Sequence, residues 1–214
     1  MTTDRARVAT NKMTAKIFLL LLSTGTLAFS EATAQSFQPN ETEVQNIISG
    51  LKCRPGLECQ NDAIGSRTRG LGRNRNFKFE LNTEKGRDKI LKSAEKGELP
   101  SIDREIYFAF DSDELTASSQ QMLTNVGTAL NRPELRPYRF LLVGHTDAKG
   151  SRSYNKSLSK RRARAARQFL VSNLGIAPGR LASQGKGEDN LKLPQSPLAA
   201  QNRRVEFINA GPQW

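Results

Sequence analysis

Residues 138–175 constrain the fold more tightly than any other part of the chain. Tyr138-Arg139-Phe140-Leu141-Leu142-Val143 is an almost continuous apolar run, suited to a central strand covered on both faces. After a polar turn, residues 157–174 form a helical stretch that stops at Gly175, a residue suited to a left-handed helix terminus. A buried strand followed by a helix that must cover it predicts α/β layering. Upstream, Ile106-Tyr107-Phe108-Ala109-Phe110 reads as a buried strand bounded by Asp111-Ser112-Asp113. Residues 118–130 carry Met122, Val126, Ala129 and Leu130 on one side of a helix that ends before Pro133. Downstream, residues 180–184 form a weak third strand, and Arg204-Val205-Glu206-Phe207-Ile208 alternates as a half-buried fourth. The order βαβαββ predicts a two-layer α/β sandwich at 101–210, with two main helices on a mixed four-stranded sheet and a tail at 211–214.

The N-terminus reads as an export signal. Arg5, Arg7, Lys12 and Lys16 precede the apolar run 17–22, and Ala32-Thr33-Ala34 offers a small-x-small cleavage site before Gln35. Residues 1–34 are therefore expected to be a signal peptide, and the remainder a periplasmic protein. Residues 35–100 are a polar and basic segment preceding the folded domain, poorly ordered through 61–100. Within it, Val44, Ile47, Ile48 and Leu51 mark a short amphipathic helix at 43–51, and a second short helix is placed near 85–96. The two cysteines, Cys53 and Cys59, flank Pro55-Gly56. In an oxidising compartment they are expected to form a disulfide, free thiols being the alternative.

The formal charge is +12. Residues 1–34 carry four Lys/Arg and two Asp/Glu, so the rest of the chain keeps +10. Such a balance favours polyanions, and export argues against nucleic acid among them. Two thiols and a single distant histidine cannot supply a zinc coordination set, and no cofactor or metal is expected.

The run Gly144-His145-Thr146-Asp147-Ala148-Lys149-Gly150 places Asp147 at the carboxyl end of the second strand, where open α/β sheets present ligand sites. Its alternative roles are local: holding the turn through Gly150, or pairing with Arg162. At about 100° per residue, with Lys160 as zero, Arg162 falls near 200°. That lies inside the apolar arc of Leu158, Ala165, Ala166 and Phe169. A guanidinium cannot shed its charge, so one turned toward the core needs an anionic partner or an opening to a ligand. Lys160, Arg164 and Arg167 form a separate basic stripe, read as a solvated face. His145 reads as a structural histidine with its hydrogen bonds satisfied, because no nucleophile stands beside it at a recognisable spacing.

The ordered motifs Phe110-Asp111-Ser112-Asp113-Glu114-Leu115, Gly144 to Gly150 as above, Tyr154-Asn155, Leu158-Ser159-Lys160-Arg161-Arg162-Ala163 and Asn202-Arg203-Arg204-Val205-Glu206 together resemble the OmpA-like peptidoglycan-binding domain, the C-terminal domain of the OmpA, MotB and Pal type. The resemblance implies a noncatalytic domain that binds the stem peptide of peptidoglycan, through diaminopimelate where the wall contains it. Residue by residue, it implies ligand-binding roles for Asp147 and Arg162, a pocket-lining role for Asn155, and a terminal basic pair at Arg203 and Arg204. Thr146 is expected to contribute through its backbone or hydroxyl, and Asp113 occupies a position where the family often carries asparagine or another polar residue. The implied partner is peptidoglycan, with outer-membrane or envelope-complex proteins reached through residues 35–100. Two other classes compete. A wall-active hydrolase or amidase would need a paired-carboxylate, zinc or nucleophile constellation, and the single histidine and separated acids supply none convincingly. A basic polyanion-binding protein would use the stripe on the second helix.

Overall fold

In the computed structural model, residues 37–52, 80–108 and 112–212 are described. The signal segment, Cys53, Cys59 and the pair Phe110-Asp111 lie outside them, so the disulfide and cleavage expectations fall on residues that are not described. In chain order the elements are α1 (Glu41–Leu51), α2 (Glu84–Glu95), β1 (Ser101–Arg104), α3 (Ala117–Asn131), β2 (Tyr138–His145), α4 (Arg152–Leu174), β3 (Leu181–Gly187) and β4 (Val205–Pro212). Short 3₁₀ turns at Pro178–Arg180 and Ala200–Asn202 precede the last two strands.

The sheet order is β1-β4-β2-β3. β4 lies antiparallel to both β1 and β2, while β2 and β3 run parallel. A parallel pair needs a crossover, and α4 provides it. The expected mixed four-stranded sheet with two main helices, α3 and α4, is present. β2 is buried along its apolar run because its side chains alternate between two cores. Phe140 and Leu142 join Leu181, Val205 and Phe207 beneath α1, α3 and α4. Leu141 and Val143 join Ile208 and Ala210 beneath Ile90 and Leu91 of α2.

Both short helices of the upstream segment therefore belong to the packing. α1 buries Val44, Ile47, Ile48 and Leu51, each contributing about 1.5–3 kcal/mol. Its last carbonyl is tied to the sheet by Asn209, whose side-chain amide donates to the Leu51 carbonyl at 3.0 Å. α2 covers the opposite face of the sheet, with Thr83 accepting from Gly86 N–H (3.0 Å) as its N-cap.

Four boundaries differ from the sequence expectation: β3 runs on to Gly187 past the expected 184, β4 runs to Pro212 past 208 and into the expected tail, and the first strand and second main helix begin elsewhere. The first strand is Ser101–Arg104, not 106–110. It pairs with β4 along one edge only, from Ser101 opposite Ile208 to Arg104 opposite Val205, and such an edge strand needs little apolar sequence. Of the more apolar run after it, the described residues 106–108 pack as a loop on the start of α3. Ile106 is buried, Phe108 forms one isolated bridge with Leu115, and the Tyr107 N–H donates to Ser119 Oγ at 2.6 Å. The second main helix starts at Arg152 rather than 157. Ser151 caps it by accepting from Tyr154 N–H (3.3 Å), and the buried residue of its first turn is the polar Asn155, which leaves no apolar period to read.

The face that α4 turns inward consists of Asn155, Leu158, Ser159, Ala163, Ala166 and Leu170. It is rotated from the expected arc because small residues, not large apolar ones, make the closest contact. A Cβ on Gly144 would stand 2.2 Å from the Ser159 carbonyl oxygen, and one on Gly185 would stand 2.4 Å from the Lys160 nitrogen. Bare backbone at these two strand positions lets the helix lie directly on β2 and β3. Arg162 consequently sits at the margin of the buried face, half-buried, rather than at its centre.

Candidate functional site

The close approach of α4 to β2 brings three segments together: the turn after β2, the first half of α4, and the residues entering β4. Asp147 follows β2 directly. Its Oδ1 accepts from Lys149 N–H at 3.2 Å, and its Oδ2 is ion-paired with Arg203 Nη1 at 2.8 Å. The carboxylate thus holds its own turn and meets an arginine, but that arginine is Arg203. Asn155 reaches across from α4 and donates through Nδ2 to the Asp147 carbonyl (3.3 Å) and to Glu188 Oε2. Thr146 is buried with its N–H donating to the Gly187 carbonyl at 2.9 Å. Its hydroxyl oxygen is buried without a hydrogen-bond partner.

Arg162 stacks over the Phe108 ring, 4.9 Å from the centroid, and its Nε donates to the Ser112 carbonyl at 3.3 Å. Among the described residues it makes no ion pair. Burial pushes its pKa down; the charges of Tyr154 and Asp147 oppose that effect, while those of Arg203 and Arg161 add to it. Since the guanidinium keeps its charge at any accessible pH, the same forces express a demand for an anion. The planar face is occupied by Phe108, which leaves the Nη edge of the fork for a carboxylate.

The terminal basic pair divides its work. Arg203 turns to Asp147, whereas Arg204 is buried and donates through Nε to Asp103 Oδ1 on β1 at 2.8 Å, with its Nη atoms on the Asn190 carbonyl at 3.3 Å. Asp113 is exposed and takes part in none of the contacts that join the other residues. Sequence reasoning missed four participants. Phe108 and Ser112 form the bed of Arg162, and Glu188 orients Asn155. Asn202, fully buried, accepts from Leu193 N–H (2.8 Å) and donates to the Ser196 carbonyl (2.9 Å). This folds the preceding loop so that the Pro197 carbonyl accepts from Ala148 N–H at 3.0 Å. Ser112 and Asn202 stood inside the motifs quoted above, with no role assigned to them.

Two other expectations need correction. His145 is buried, but among the described residues neither ring nitrogen has a hydrogen-bond partner; Nε2 lies 3.5 Å from Glu206 Oε2. Burial lowers its pKa, with Glu206 working in the opposite direction. The basic stripe is only partly solvated. Lys160 and Arg164 are exposed, while Arg167 donates to the carbonyls of Leu181 (2.8 Å) and Pro178 (2.9 Å), holding the start of β3.

The model of the OmpA family matches residues 107–204, a span that contains Asp147, Asn155, Arg162 and Arg203. These residues form an OmpA-family domain. The chain is 36% identical over 108 residues to the outer membrane protein A of Bordetella avium, which covers 49% of this chain and 54% of that protein. It is 38% identical over 113 residues to the peptidoglycan-associated lipoprotein of Mesorhizobium japonicum, covering 52% of this chain and 66% of the relative. Among solved structures, the peptidoglycan-associated lipoprotein from Burkholderia pseudomallei aligns at 28% identity over 49% of this chain and 87% of that one, with a TM-score of 0.42. The chain thus spans about half to two thirds of the length of these two curated relatives. The family match leaves α1, α2, β1 and β4 outside it.

Proposed function

We propose that the OmpA-like domain binds peptidoglycan noncatalytically in the bacterial periplasm and tethers the envelope, or a complex within it, to the cell wall. On this reading residues 1–34 are an export signal. The names of the peptidoglycan-associated relatives support the ligand class. The observation that carries the site is the pairing pattern: Asp147 is held by Arg203, while Arg162, half-buried on Phe108, has no ion-pair partner among the described residues.

The fitting ligand is the free end of a diaminopimelate residue, which offers an ammonium and a carboxylate on one carbon. The carboxylate docks on the open edge of Arg162, within the field of Arg203. The ammonium donates to Asp147, which is already oriented by Lys149 N–H and by the Asn155 bridge. Thr146 holds the turn in place through its N–H bond to the Gly187 carbonyl, and Arg204 supports the site from behind by fixing the start of β4. A lysine-type stem lacks the second carboxylate and would leave Arg162 without an anion. Two arginines and two carboxylates, Asp147 and Glu188, suit a zwitterion better than a simple polyanion.

Pull-down on purified sacculi tests the assignment. Asp147→Ala and Arg162→Ala are expected to lose binding while keeping the thermal midpoint of the parent chain. Retained binding by both would refute the site. Zymography on the same sacculi is expected to show no clearing; a cleared band would turn the reading toward a wall hydrolase.

A further inference from the structure

β3 is the outer strand of the sheet, and its free edge runs along the floor of a groove of about 500 Å³ between α2 and α4. The backbone direction at this edge can be read from one contact. The Leu181 carbonyl points outward to Arg167, so strand alternation turns the backbone groups of Ser183 and Gly185 to the same edge, where Ser183 is half-buried and Gly185 is buried beneath α4. Residues 183–186 all line the groove. An open edge of this kind is a template for another strand unless the fold blunts it.

The walls decide which strand. Five cationic side chains face three carboxylates. Of those carboxylates Asp88 is engaged by Gln184 (2.7 Å) and Glu95 by Asn190 (3.5 Å). Lys92, Lys160 and Lys186 make no ion pair among the described residues. Residues 53–79 of the same chain carry six Lys/Arg against two Asp/Glu, so their charge opposes entry into this groove. Pairing two copies through β3 would set Lys160 and Lys186 against their own counterparts. The complementary occupant is an extended, acidic segment of a different polypeptide.

We propose that the free edge of β3, between α2 and α4, docks an acidic peptide as an added strand. Backbone bonds centred on Ser183 supply the pairing, and Lys160, Lys186 and Lys92 supply the selection for acidic side chains. On α4, Lys160 and Lys156 lie about 160° and about 120° around the axis from Arg162. The groove is therefore on the far flank of the helix from the Asp147 site, and one chain can hold both ligands together. The proposal does not depend on what the Asp147 site binds.

The test uses the full chain and a fluorescein-labelled peptide of alternating glutamate and threonine, followed by anisotropy. The parent chain is expected to bind this peptide, to ignore a lysine–threonine peptide, and to show slowed amide exchange at Ser183 in the complex. The double variant Lys160→Glu, Lys186→Glu should weaken binding by about tenfold or more. Ser183→Pro removes one edge donor at a position where an edge strand tolerates proline, and it should weaken binding at an unchanged thermal midpoint. Equal binding by parent and charge-reversed chains overturns the proposal, as does binding without protection at Ser183. Tighter binding of heparin than of the acidic peptide also overturns it, by making the groove a general polyanion surface.

Discussion

Gly144→Ala tests whether the close seat of α4 on the sheet sets up the binding site. The added methyl would stand 2.2 Å from the Ser159 carbonyl oxygen, where ordinary contact begins near 3.4 Å. The obstacle is helix backbone rather than the end of a flexible side chain, so α4 must move outward by roughly 1 Å, against the close packing that fixes it. Overpacking of this kind costs about 1–3 kcal/mol. For a domain of this size each kcal/mol lowers the midpoint by about 2–4 °C, so a fall of roughly 4–8 °C is expected for a mid-range cost. Asn155 and Arg162 ride on the displaced helix, and sacculus affinity should fall even below the melting range. Gly179→Ala is the control, because a Cβ there meets nothing within 4 Å; its midpoint should change by no more than about 0.5 kcal/mol equivalent. The assay is thermal denaturation followed by circular dichroism, with sacculus pull-down at 20 °C on the same preparations. Equal midpoints and equal binding for the two variants would refute the reasoning.

Other perturbations separate binding from stability. Arg203→Ala should lose sacculus binding at a nearly unchanged midpoint, since its ion pair with Asp147 is part-exposed. Arg204→Ala should instead cost about 1–3 kcal/mol, because its guanidinium is buried and its loss leaves Asp103 and the Asn190 carbonyl short of a donor. Whatever fraction of that variant is folded should still bind. Burial lowers the His145 pKa below its ordinary value near 6.5, so the unfolded chain takes up this proton first as pH falls. Stability from neutral His145 is therefore full above about pH 6.5 and declines as pH drops toward the folded-state pKa. Midpoints measured from pH 7.5 to pH 5 should show that decline in the parent and a shallower one in His145→Gln.

The sequence was most legible where one physical signal dominated. β2 announced itself through apolar continuity, α3 through its periodic apolar face, and the end of α4 through Gly175, which adopts φ +67°. It was least legible where polar residues did structural work. Asn155 on the first turn of α4, and Asp103 paired with Arg204 on β1, gave no apolar period. Helices α1 and α2 were recognised as short amphipathic segments, but their faces fit the two sides of the sheet in a way that only the tertiary contacts reveal. At the site, helical phasing singled out Arg162 and strand position singled out Asp147, yet both assumed a partner. Phasing around large apolar residues misjudged the inner face of α4, because Gly144 and Gly185 shift the closest packing to Ser159 and Ala163. The Asp147–Arg203 pair and the Phe108 bed join segments far apart in the chain, so no local spacing encodes them.

The most direct test of the central claim is the affinity of the full chain for two soluble stem peptides that differ only in carrying diaminopimelate or lysine, measured by calorimetry for the parent and for Arg162→Gln. A bond between a charged pair is worth about 1.5–3 kcal/mol, which corresponds to a preference of roughly tenfold to a hundredfold. The account predicts that the parent favours the diaminopimelate peptide by that factor and that Arg162→Gln erases the preference. Equal affinity of the parent for both peptides, or an undiminished preference in the variant, would contradict it.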